Sequence, residues 1–156
     1  MEPSIPDYPP LLAIDPGKEK CGVAIVTLQR KVLEKEITPL SILHLRVSYF
    51  IGKYGITTIV LGDRTGARDT RALLRASGFN IEITYVNEHR SSELGRVRFL
   101  KDHPARGWHC LLPLSMRSPD CPYDDYVAVI LAERYLDGSR STRLRQGEPR
   151  RVKKQF

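Results

Sequence analysis

The amino-acid sequence predicts an α/β domain: a mixed β-sheet with helices on its faces. Three observations carry that expectation. Three β-type segments crowd into residues 11–37, separated by short polar turns. Strand and helix patterns then alternate as far as residue 100. An apolar stripe at helical spacing closes the body at residues 124–136. With 156 residues, 41% of them hydrophobic, the chain can bury one sizeable core.

The elements follow in order. Residues 11–14 are an apolar run that ends in Asp15-Pro16-Gly17, a strand entering a turn. Residues 22–28 (GVAIVTL) and 32–37 read as two further strands. The short gap at Gln29-Arg30-Lys31 makes them a hairpin, so the first three strands are antiparallel neighbours. At 39–54 the period changes: Leu40, Leu43, Val47, Phe50 and Ile51 fall three or four apart, one face of a helix that Gly55 stops. Residues 57–61 (TTIVL) are a buried-type strand closed by Gly62, and 70–76 are a helix stopped by Gly78. A strand at 81–86 and a helix at 91–100 complete the alternation. Residues 101–122, rich in Pro, Gly and His, read as a long loop before the final helix. The order β-β-β-α-β-α-β-α-α gives a meander followed by crossovers, hence a sheet of mixed sense.

Composition narrows the function. No apolar run approaches the roughly 18–20 residues that span a bilayer. Residues 1–10 lack the basic and apolar regions of a signal peptide, so a cytoplasmic location with no membrane partner is expected. Cys21, Cys110 and Cys121 form no C-x-x-C pair, and with His103 and His109 they make only a loose cluster, so no zinc site is expected. The net charge of +7 is concentrated in residues 139–156, where seven basic residues and the single acid Glu148 account for +6. The expected organisation is therefore one domain over 1–138 and a basic, flexible tail over 139–156. Arg150, Arg151, Lys153 and Lys154 suit an arm on nucleic-acid phosphates, where each neutralised phosphate releases counterions.

The chemistry rests on carboxylates. Asp15 ends the first strand, Glu88 follows the strand at 81–86, and Asp124 and Asp125 open the last helix. Strand C-terminal ends gather on one edge of such a sheet, where ligands bind. Clustered acids raise one another's pKa and stay ionised only beside positive charge. Mg²⁺ or Mn²⁺, which take oxygen ligands, supply it. Two such ions about 4 Å apart can stabilise the attacking and leaving oxygens of phosphodiester hydrolysis. Singly, three of these acids have plainer explanations: Asp15 as a turn former, Asp124 as a helix cap, Asp125 as a partner of the helix dipole. Their joint placement is what points to catalysis. His89 and Arg90, next to Glu88, and Arg64 and Arg68, after the strand at 57–61, could position phosphates beside the acids.

These segments resemble the YqgF/RuvX family of RNase H-like nucleases, relatives of the RuvC resolvases. Leu12-Ala13-Ile14-Asp15-Pro16-Gly17 followed by Cys21-Gly22-Val23-Ala24 is similar to the family's opening motif. Residues 86–92 (VNEHRSS) resemble its D-E-R-x-S/T-T segment, with Glu88 on the family's glutamate. Residues 124–136 (DDYVAVILAERYL) resemble its last helix and set Asp124, rather than Asp125, on the family's aspartate. Thr58 to Gly62 resembles its I-V-V-G strand. The resemblance spans about residues 11–137. It implies an RNase H-like fold, a five-stranded sheet in the order 3-2-1-4-5, catalysis and metal binding by Asp15, Glu88 and Asp124, and processing of the 5′ end of pre-16S rRNA. Departures are Asn87 for the family's Asp, His89 for its Arg, and Asp63-Arg64-Thr65-Gly66 after the I-V-V-G strand. The new Asp63, like Asp125, is a further candidate metal ligand.

Rival functions remain. Asp15, Gly17 and Gly22 also match the opening of sugar-kinase and Hsp70-type ATPases, but that fold needs two such domains and a far longer chain. A Holliday-junction resolvase acting on DNA would work as a homodimer, so that two sites cut two strands. A silent nucleic-acid-binding module would gain nothing from clustered acids. RNA stands ahead of DNA as the expected partner.

Overall fold

The structure, a computed structural model, describes residues 8–146, with side chains as far as residue 138. Arg150, Arg151, Lys153 and Lys154 lie outside the described residues. Strands β1 (Leu11–Asp15), β2 (Lys20–Val26) and β3 (Val32–Pro39) form an antiparallel meander. Then follow α1 (Leu43–Tyr54), β4 (Thr58–Gly62), α2 (Ala67–Ala76), β5 (Glu82–Val86), α3 (Ser91–Asp102) and α4 (Asp124–Gln146). The sheet runs β3-β2-β1-β4-β5, with β4 parallel to both β1 and β5. This is the five-stranded mixed sheet expected from the sequence.

Boundaries differ where local bonding overrides periodicity. The hairpin starts earlier than expected, because the Thr27 N–H donates to the Lys31 carbonyl (2.9 Å) and the Arg30 N–H to the Thr27 carbonyl (2.9 Å). Pro39 closes β3, and Leu40–Ile42 form a 3₁₀ turn before α1. The polar first turn of α2, with Arg68 and Asp69, hides its start at Ala67 from an apolar count. The long loop holds two 3₁₀ turns, Gly107–Leu111 and Leu114–Met116. Helix α4 runs on through Gln146, so the segment expected as a flexible tail begins as helix.

The central strands are buried on both faces, which explains their near-continuous apolar sequence. On one face Leu12, Ile14, Val23 and Ile25 pack with Leu43, Val47 and Phe50 of α1 and Leu74 of α2. On the other, Leu11, Ala13, Ala24, Val26 and Val60 pack with Ala128, Val129, Leu131 and Ala132 of α4. Each fully buried aliphatic side chain contributes about 1.5–3 kcal/mol. Helix α3 lies against α4 at Gly95, where a Cβ would come within 2.8 Å of Val127 Cγ2. No helix among the described residues is long and apolar enough to cross a membrane.

Candidate active site

Strand alternation and register build the site. Asp15 follows Leu11 and Ala13 in step, so its side chain belongs to the α4 face of the sheet. Its β2 partner is Gly22. On the other side the pairing of Ile14 with Leu61 brings Gly62 level with Asp15. Asp15 is thus flanked by two glycines. A Cβ on Gly22 would lie 1.9 Å from the Asp124 carbonyl oxygen and 2.9 Å from the Asp125 nitrogen. A Cβ on Gly62 would lie 1.9 Å from Glu88 Oε1. The start of α4 therefore sits on the bare backbone of Gly22, and the Glu88 carboxylate sits over Gly62. Asp15, Glu88 and Asp124 come together at the C-terminal ends of β1 and β4. Gly22→Ala is expected to cost on the order of 3 kcal/mol, since the obstacle is backbone. Urea unfolding measures this, and a loss under about 0.5 kcal/mol would show that α4 is not seated there.

The carboxylates are under electrostatic strain. The Asp15 carboxyl is pushed up to about 7, first by burial and then by the charges of Glu88 and Asp124. Glu88 is buried and also raised, by that burial first, with the Asp63 charge adding to it. The Arg64 N–H, donating to Glu88 Oε1 at 3.3 Å, opposes the shift. Asp124 lies 3.3 Å from the Lys20 ammonium and in the first turn of α4, where the helix dipole favours an anion.

Glu88 is held by its backbone. Its N–H donates to Asp63 Oδ1 (3.1 Å), and its carbonyl accepts from the Ser91 N–H (2.9 Å) and Ser91 Oγ (2.7 Å). Arg134 of α4 donates to the Asn87 carbonyl (2.6 Å) and to the His89 carbonyl. Asp63 thus fixes the Glu88 loop. Asp125 is engaged by Lys35 at 2.8 Å, and that ammonium also lies 3.9 Å from the Tyr126 ring centroid.

The basic candidates divide. Arg64 and Arg68 are exposed and line a cleft of about 820 Å³ beside Asp63, together with Arg71 and Tyr85. His89 is exposed next to Glu88. Arg90 bonds to Glu93 at 3.0 Å and holds a left-handed backbone, φ 59°. A larger cavity of about 900 Å³ lies along the 101–123 loop, away from the three acids, which do not line it. There Arg96 and Arg117 bond to loop carbonyls and give the segment its shape.

Sequence reasoning missed four contributors: Gly22 and Gly62 as seats for the acids, Lys20 and Arg134. The glycines carried a readable signal, because glycine inside a strand marks close approach of another group. Lys20 and Arg134 carried none that separates them from other surface cations.

Comparison with solved structures defines the class of fold. The chain is similar to RuvC from Thermus thermophilus in complex with Holliday junction substrate, with 12% identity and a TM-score of 0.56 over 88% of this chain and 96% of that one. It is also similar to Thermus thermophilus RuvC alone, with 11% identity and a TM-score of 0.53 over 85% and 97%. The chain therefore shares the RNase H-like fold of these structures. No family model matches the chain, and no curated protein does.

The chemistry of the three side chains suits a hard divalent cation such as Mg²⁺ or Mn²⁺, since each offers carboxylate oxygens. Burial first, and then the charges of Glu88 and Asp124, disfavour the ionised Asp15 carboxyl, and a cation bound beside it would relieve that. Among the described residues, no three His, Cys, Asp or Glu side chains converge on one ion position as they stand. Asp124 faces Lys20 instead.

Proposed function

We propose that this chain is a divalent-metal-dependent nuclease that hydrolyses nucleic-acid phosphodiesters. The observation that carries this is the row Gly22–Asp15–Gly62, which seats Asp124 and Glu88 on either side of Asp15. Asp15, Glu88 and Asp124 are the catalytic acids and would hold Mg²⁺ or Mn²⁺. The bound cation supplies charge for the attacking and leaving oxygens. Arg64, Arg68, His89 and Arg90 border the acids and offer donors to flanking phosphates. Arg150, Arg151, Lys153 and Lys154 act as a basic arm.

The substrate we favour is the 5′ end of a pre-16S rRNA, on the strength of the YqgF/RuvX-like motifs around the three acids. A four-way DNA junction is the second reading, because the similar RuvC structure is a complex with that substrate. Under it the protein would act as a homodimer. A cytoplasmic setting suits both.

One experiment separates them. The full chain, and a chain ending at Gln146 so that α4 is preserved, are each given an rRNA precursor and a four-way junction with Mg²⁺ or Mn²⁺ across a salt series. Specific cleavage of the precursor supports the first reading and paired nicks in the junction support the second. Loss of the basic arm should weaken binding and flatten its salt dependence while leaving saturated single-turnover cleavage unchanged. No cleavage of either substrate, with binding intact, would identify a silent binder and overturn the proposal.

A further inference from the structure

Lys20 stands where a nuclease of this kind could place a metal ion. Of the three acids, Asp124 alone has an ion pair among the described residues: Lys20 Nζ lies 3.3 Å from its Oδ2. The position is built by the backbone. Lys20 opens β2 opposite Pro39, and Gly17 packs so tightly on it that a Cβ there would lie 2.2 Å from the Lys20 carbonyl oxygen. The neighbouring Glu19 carbonyl accepts the Leu40 N–H at 2.8 Å. Strand alternation then sets Lys20 on the same face as Gly22, beneath the first turn of α4.

We propose that the Lys20 ammonium is the resident cation of this site, holding on Asp124 the place of a second divalent ion, so that the centre takes up one divalent ion at Asp15 and Glu88. This rests on the metal-nuclease reading above. Formal charge favours it. Three carboxylates are balanced by one divalent ion and one ammonium, whereas two divalent ions beside Lys20 would overshoot. The donor count favours it as well. An ammonium has three N–H donors, its contact with Asp124 is an ion pair at 3.3 Å, and the Lys20 side chain is 47% exposed, so donors face outward for a phosphate oxygen. A bare surface ion pair would contribute under about 1 kcal/mol and do nothing else.

Counting bound Mn²⁺ on the full chain by electron paramagnetic resonance and calorimetry tests the assignment. The parent should bind one ion. Lys20→Met, of similar length and uncharged, should bind two, and Lys20→Arg should bind one. Lys20→Gln serves the same purpose should the Met variant fail to fold. Single-turnover cleavage should depend hyperbolically on Mn²⁺ in the parent and sigmoidally in Lys20→Met, with a rate lower by roughly 10- to 100-fold at equal metal. Two ions in the parent, or one in Lys20→Met and Lys20→Gln, would overturn the role of Lys20 and leave the nuclease reading standing. No Mn²⁺ bound by the parent would overturn both.

Discussion

Asp15→Asn is expected to lower single-turnover cleavage by about 10³-fold or more while making the ion-free protein more stable at pH 8. The first effect follows from position. Asp15 is the central acid of the row, and Asn keeps its shape but gives up the charge that would bind the cation. Removing one electrostatic stabiliser of a transition state costs about 10²–10³ in rate, and a metal ligand belongs at the upper end. The second effect follows from burial. At pH 8 the parent must ionise a carboxyl whose folded pKa is about 7 against an ordinary 3.8. That penalty has a limit of roughly 4 kcal/mol, and Asn does not incur it. Urea unfolding at pH 8 without metal, paired with rapid-quench cleavage, checks both halves. A variant that cleaves as fast as the parent would falsify the assignment of Asp15.

The stability of the ion-free protein should also fall as pH rises from about 4 to about 7. The sign follows from linkage. The Asp15 carboxyl is raised in the fold, so the unfolded chain releases its proton first. Stability from this group is complete below pH 3.8 and is lost as pH passes through about 7. The Glu88 carboxyl is raised too, mainly by burial, and contributes with the same sign. Mg²⁺ or Mn²⁺ should reverse the loss at pH 8, because an ion that binds only the folded state stabilises it by about 2.7 kcal/mol at a hundred times its Kd. Asp15→Asn should flatten the pH slope and blunt the response to metal. Unfolding curves from pH 4 to 8, with and without metal, supply the test. A slope of opposite sign, or an equal metal response in Asp15→Asn, would show that the acids do not act together.

Much of this was legible in the sequence because it depended on period and order. Strand-type runs at 11–37 and the alternation after them gave the mixed sheet, and the acids fell at strand and helix ends by the same count. What stayed hidden depended on register. Nothing in the sequence alone pairs Asp15 with Gly22 or sets Gly62 beside it, so the seating of Glu88 and Asp124 appears only when the strands are aligned. The fate of Asp63 and Asp125 was hidden for the same reason. Their partners, the Glu88 N–H and Lys35, lie 25 and 90 residues away along the chain. The helical start of the 139–156 segment was masked by its charge, since arginine-rich sequence without an apolar stripe shows no helical period.

Helix α4 acts at two points of the site. Its first residue is Asp124, and Arg134, about 15 Å further along the axis, grips the carbonyls on either side of Glu88. One rigid rod therefore carries one acid and steers another. A push along that rod would move both acids in concert and preserve their spacing, whereas fraying of its first turn would release Asp124 alone. Within the described residues the helix runs as far as Gln146, so a load taken up there has a direct mechanical route to the sheet edge that carries the three acids.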